Sequence, residues 1–181
     1  MVSKRQKLAA LVIAIVVMIA GLALIALIRQ TPTEAELLIL NPKEVGDGWI
    51  GFDMGTSYDE KAPNESSFCY RQVQNSTIGI RLIVYVFASE NDSKAAFDRH
   101  IDSIQNSTEV GGVSNFSFMH IGDRMGFYEY RGFPQAFLLL GRSMSILWAD
   151  DDHFNHETWY NQVLIEIATL QSEKIHHHFN G

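Results

Sequence analysis

From Leu8 to Ile28 the chain reads LAALVIAIVVMIAGLALIALI, 21 residues without one charge, Asn, Gln, Ser, Thr or Pro. At the α-helical rise that run is about 31 Å long, close to the hydrocarbon thickness of a bilayer. In hydrocarbon a single segment can pair all its backbone groups only as a helix. The pattern therefore predicts a transmembrane helix over residues 8–28. Beyond it the patterning breaks into short pieces. A short apolar element covers Glu34 to Leu40. Pro42 then opens a turn that runs through Gly46-Asp47-Gly48 into a strand over Trp49–Met54. Gly55 to Ser67 is polar, contains Pro63 and reads as a loop.

Phe68–Gln74 and Ile78–Ser89 read as a hairpin turning at Asn75-Ser76-Thr77. In its second strand Ile80, Leu82, Val84 and Val86 alternate with Arg81, Ile83, Tyr85 and Phe87, so both faces are largely apolar. That predicts a central strand covered on both sides. From Glu90 to Ser107 the period becomes helical, with Ala96, Phe97, Ile101 and Ile104 on one face and Asn91 or Asp92 as the cap. His100 falls at the edge of that face. Gly111-Gly112 lies in a loop, followed by strands over Phe116–His120, Phe127–Arg131, Ala136–Leu140 and Met144–Ala149. Turns are expected at Ile121-Gly122-Asp123, Gly132-Phe133-Pro134 and Gly141-Arg142. Phe154 to Glu173 closes the chain as a helix, with Trp159, Val163, Ile167 and Leu170 at helical spacing and Leu164 and Ala168 beside them. The order predicts an α+β domain with one antiparallel sheet.

Charge sets the expected orientation. Lys4, Arg5 and Lys7 precede the apolar run and only Arg29 follows it closely, which places residues 1–7 in the cytoplasm. Residues 29–36 then read as a linker, 37–175 as an extracytoplasmic domain and 176–181 as a tail. A cleaved signal peptide is the competing reading, with a small-residue site at Thr33-Glu34-Ala35, but its apolar core is normally shorter. All 21 Asp and Glu lie beyond the run with 11 of the 14 Lys and Arg, so the remainder carries a charge near −10. Such a surface argues against nucleic acid as a partner. Cys69 is the only cysteine, so no intramolecular disulfide can form, and its apolar neighbours Phe68 and Tyr70 make it a small core hydrophobe.

Asn64, Asn75, Asn91, Asn106 and Asn115 all head N-x-[ST] acceptors. Five of nine asparagines do so, where 21 Ser and Thr in 181 residues would give about one by chance. The excess points to a glycan-bearing surface; the alternative is that Asn and Ser are here as turn formers.

The run Leu38-Leu-Ile-Leu-Asn-Pro-Lys-Glu-Val-Gly-Asp-Gly-Trp49 resembles the opening of small secreted or membrane-anchored PsbP-like domains. The passage from Val84-Tyr-Val-Phe-Ala-Ser-Glu to Lys94-Ala-Ala-Phe-Asp98, the Ile121-Gly-Asp123 turn and the late hairpin into a terminal helix come in similar order. Gly141-Arg142 departs from the Arg-x-Gly common in such hairpins. The resemblance implies a curved antiparallel sheet with helices packed on it, an α/β/α sandwich. It also implies a non-enzymatic accessory or ligand-binding role, and carries no catalytic residues.

Two clusters are candidates for chemistry. Asp152, His153, His156 and Glu157 lie between the last strand and the last helix, with acid and imidazole four residues apart in two pairs, a mixture that suits a transition metal. Acids there also suit a helix N-terminus. Tyr128, Tyr130 and Phe133 belong to a dense aromatic stretch and are the candidate ligand-binding residues, although most aromatics there should be core. His176-His177-His178 reads as tail. No G-x-S-x-G elbow or P-loop is present, and no cofactor is expected. The expected function is a membrane-anchored, non-enzymatic envelope domain that binds a protein partner or a small ligand. The alternatives are a metal-dependent or hydrolytic ectoenzyme built on Asp150–Glu157 and a structural component of a surface assembly.

Overall fold

A computed structural model describes residues 13–22, 32–54, 65–108, 112–149 and 159–180. They fall into two units, Met1–Pro32 and Thr33–Gly181. In the first unit the helix described is α1, residues 13–22. Among the described residues no helix is long and apolar enough to cross a membrane. This corrects the expectation of a fold that begins with a transmembrane helix over 8–28; the two ends of that apolar run lie outside the described residues.

The second unit is built on seven antiparallel strands: β1 (Ile50–Asp53), β2 (Glu65–Gln74), β3 (Gly79–Phe87), β4 (Val113–Met119), β5 (Arg124–Tyr130), β6 (Phe133–Leu140) and β7 (Ser143–Ala149). Their order across the sheet is β1-β2-β3-β7-β6-β5-β4. The last four strands in sequence form a meander, and β3 joins it to the β1–β2 pair through β7. The expected β2–β3 hairpin is present. Asn75 Oδ1 accepts hydrogen bonds from the N–H groups of Thr77 (2.8 Å) and Ile78 (2.9 Å), which closes its turn. β2 begins at Glu65, inside the stretch read as loop. The β5–β6 turn sits earlier than expected. It is made by Arg131 (φ 53°) and Gly132 (φ 85°), a pair of left-handed residues whose twist suits a two-residue hairpin. Phe133 and Pro134 therefore belong to β6.

Helices cover both faces. Glu34–Leu38 forms α2 and Pro42–Val45 forms α3. α2 starts inside the stretch read as linker and sends Ala35 and Leu38 into the core. Thr33 and Glu36 close its N-terminus as a reciprocal cap. α5 (Trp159–Asn180) packs on the same face, over Leu82, Val84, Leu138 and Leu147. Its buried stripe is Tyr160, Leu164, Ile167, Ala168 and Ile175. That stripe continues to the part-buried Phe179, so helix replaces the expected tail and His176–His178 stand exposed on it. The helix expected over 154–158 lies outside the described residues. α4 (Glu90–Thr108) covers the opposite face, burying Phe97, Ile101 and Ile104 against Ile83, Tyr85 and Phe137. Its cap is Ser89, whose Oγ accepts from the Asp92 N–H at 3.2 Å; Asn91 and Asp92 lie inside the first turn. The antiparallel sheet between helical layers matches the expected architecture of the domain.

Cys69 is buried on the α5 face, and burial pushes its thiol up to about 11, so it packs as an apolar side chain.

Candidate functional site

Strand register lines up residues that are far apart in sequence. Gln72 pairs with Arg81, Arg81 with Trp148, Trp148 with Gln135, and Gln135 with Tyr128. Residues opposite one another point to the same face, so these five form one row across the sheet. The next row on that face runs Tyr70, Ile83, Ile146, Phe137 and Gly126. α4 lies beside both rows and contributes His100.

Here the α4 face opens into a cleft of about 300 Å³. Tyr70 and Trp148 stack on each other along one wall, ring centres 5.8 Å apart. Tyr85 and the apolar side chains of Ile83 and Ile146 continue the lining. Three polar groups converge on it: the Arg81 guanidinium from β3, the His100 imidazole from α4 and the Gln135 amide from β6. The size is at the lower end for small-molecule sites, and the mixture of aromatic walls with a few polar groups is typical of them.

His100 is held by rings. Phe137 meets it edge-on at 4.9 Å and Tyr128 at 6.4 Å. Its Nε2 is buried and has no hydrogen-bond partner among the described residues. Burial lowers its pKa to about 4, so the imidazole is neutral at pH 7. In an unfolded chain the same group titrates near 6.5. Between these values the unfolded chain binds the proton more readily. Stability from this site is therefore complete above about pH 6.5 and falls as pH drops through about 4. The expected loss is about 3 kcal/mol. Urea unfolding at pH 7 and pH 4 should show His100→Gln to be less pH-sensitive than the natural chain by about that amount.

Tyr128, Tyr130 and Phe133 share this face, but none of them lines the cleft; Tyr128 reaches it only through its contacts with Gln135 and His100. It is buried, and its hydroxyl donates to Gln135 Oε1 at 2.5 Å. Burial, and then the neighbouring Tyr130, raises its pKa, so the phenol stays a donor that orients the Gln135 amide. Tyr130 and Phe133 pair with each other at the hairpin end, and Tyr130 is exposed beneath the Arg131 guanidinium. Asp152, His153, His156 and Glu157 lie outside the described residues, and among those described no group of three His, Cys, Asp or Glu is placed to hold a metal. Asn91, Asn106 and Asn115 are exposed; Asn75 is half-buried with its Oδ1 engaged in the turn, and Asn64 lies outside the described residues.

Sequence reasoning missed Arg81, Trp148 and Gln135 as a group. Arg81 carried a local signal, as the one charge in an otherwise apolar strand. A second, larger cleft of about 490 Å³ lies between the C-terminal end of α5 and the β6–β7 turn. Its cation, Arg142, is engaged by Glu34 (2.7 Å), the Phe87 carbonyl (3.1 Å) and the Phe179 ring.

No family model and no curated protein matches this chain. The resemblance to PsbP-like domains thus rests on its sequence motifs alone. Among solved structures, the extracellular domain of PknH from Mycobacterium tuberculosis is similar at 13% identity and a TM-score of 0.46, over 81% of this chain and 98% of that one. At that level nothing is transferred from it.

Proposed function

We propose that the second unit is an extracytoplasmic binding domain that takes a small ligand in the cleft beside α4. The observation that carries the reading is the convergence of Arg81, His100 and Gln135, from three different elements, on an aromatic-walled space of ligand size. The buried, unpartnered Nε2 of His100 adds to it, since an unmade hydrogen bond in such a place normally has a reason. The surplus of N-x-[ST] acceptors, with Asn91, Asn106 and Asn115 exposed, supports the extracytoplasmic setting.

The test is ligand-observed NMR on the full chain with a panel of small carboxylic acids, alcohols and sugars. Binders should compete with one another and should be lost from Tyr70→Leu and Gln135→Leu variants that still fold by circular dichroism. Binders that persist unchanged in both variants would place the ligand elsewhere and overturn the reading.

A further inference from the structure

The cleft's lining residues divide into those already engaged and those with capacity left. Arg81 has an interaction partner of its own, so its charge is not free for an ionised ligand, and Tyr70, Tyr85 and Trp148 also have further interactions within the protein. Two polar groups remain. Gln135 Oε1 is taken by the Tyr128 hydroxyl, but its Nε2, which carries two N–H donors, has no partner among the described residues. His100 Nε2 is buried and likewise unpartnered. The two are near neighbours: Gln135 and Phe137 are two positions apart on β6, about 7 Å, and Phe137 meets the His100 ring at 4.9 Å. Across the strands Gln135 stands opposite Trp148, whose ring stacks on Tyr70.

The chemistry of this set is selective. A cation finds no carboxylate among the described lining residues. A nucleobase is read by an amide through its nitrogen and oxygen together, and here the oxygen is engaged. A hydroxyl both donates and accepts, so it can take an N–H from Gln135 and can meet His100 Nε2 in either neutral tautomer. The negative face of an aromatic ring attracts polarised C–H groups. A ring with hydroxyls on its rim and C–H groups on its face answers all three features.

We propose that the cleft takes a neutral sugar ring, with its hydroxyls on Gln135 Nε2 and His100 Nε2 and its C–H face against the Tyr70–Trp148 wall. This assignment rests on the reading of the cleft as a binding site.

Saturation-transfer NMR titration of the full chain tests it, with the methyl glycosides of glucose, galactose, mannose and N-acetylglucosamine, and with cyclohexanol, acetate and ethylammonium as controls. At least one glycoside is expected to bind about tenfold tighter than cyclohexanol, whose single hydroxyl cannot serve both polar groups. Gln135→Glu keeps an oxygen for Tyr128 but loses the N–H donors, and His100→Phe keeps a ring against Phe137 but loses Nε2. Each variant, retaining the natural circular dichroism, should weaken that glycoside several-fold and leave cyclohexanol unchanged. A trisaccharide ending in the preferred ring separates the sources: equal binding marks the end of a glycan, loss marks a free sugar, and either supports the assignment. Cyclohexanol binding as tightly as every glycoside, both lost in Tyr70→Leu, would overturn sugar recognition and leave the cleft standing as a site. Tighter binding of acetate or ethylammonium would overturn it in favour of an ion. A glycoside indifferent to both Gln135→Glu and His100→Phe would overturn the proposed contacts. Glycoside binding indifferent to Tyr70→Leu would overturn the cleft itself, and this assignment with it.

Discussion

Replacing Phe137 by alanine is expected to destabilise the domain by about 4 kcal/mol. Phe137 is fully buried in the middle of β6, on the face covered by α4. Its ring meets Phe97 and His100 at 4.9 Å, Tyr128 at 5.9 Å and Phe116 at 6.3 Å, so it holds α4, β4 and β5 to one centre. It also lies directly over Gly126, its partner on β5, where any Cβ would collide with the ring. The fit is thus set from both sides: a glycine below makes room, and aromatic edges around it leave no freedom to shift. Truncation removes the transfer energy of the ring and leaves a void that these rigid neighbours cannot fill. Urea denaturation at pH 7 should show a lower midpoint with an unchanged slope. Because His100 owes part of its burial to this ring, its pKa should also rise from about 4 toward the ordinary value, which NMR titration of the His100 ring resolves. An unaltered midpoint would show that the two layers do not depend on this contact.

Gln171→Leu should have an effect of similar size, about 4 kcal/mol, for a different reason. Gln171 is fully buried on α5. Its Oε1 accepts from the Leu40 N–H at 3.1 Å and its Nε2 donates to the Leu38 carbonyl at 2.9 Å. Leu38 ends α2, so its carbonyl has no partner within that helix. Leucine fills nearly the same volume but leaves two buried backbone groups unpaired, each costing roughly 1–3 kcal/mol. The comparison is Gln162→Leu on the same helix, where the amide is exposed and donates to Glu166; its effect should stay within about 0.5 kcal/mol. If both variants unfold at the same urea concentration, the link between α2 and α5 is not what it is taken to be here.

Both effects arise in contacts between elements, and this is where the sequence pattern stops. The alternation Ile80, Leu82, Val84, Val86 against Ile83, Tyr85, Phe87 is enough to find β3 and to place it centrally, because side-chain period and two-sided burial are local properties. The same holds for the β2–β3 hairpin, for α4 and for the meander. Where expectation and structure part, the cause is again physical. The apolar stripe of α5 keeps Ile167, Leu164 and Ala168 but centres on them, with Tyr160, rather than on Val163 and Leu170, because α2 and the sheet together choose the buried side. The β5–β6 turn moved because Arg131 accepts a left-handed conformation beside Gly132, supported by its N–H donating to the Gly112 carbonyl at 2.6 Å. The apolar run at the N-terminus has enough residues for a bilayer, yet among the described residues no helix is long and apolar enough to cross one.

The cleft shows the division most clearly. Periodicity along the chain announced the sheet, its two apolar faces and the helix that carries His100, since each depends on residues within a few positions of one another. How the β2–β3 hairpin docks against the later strands was left open, because pairing order is a contest among distant segments for the same apolar surface. Only once β7 docks between β3 and β6 do Arg81, Trp148 and Gln135 become neighbours, residues separated by more of the chain than any local pattern spans.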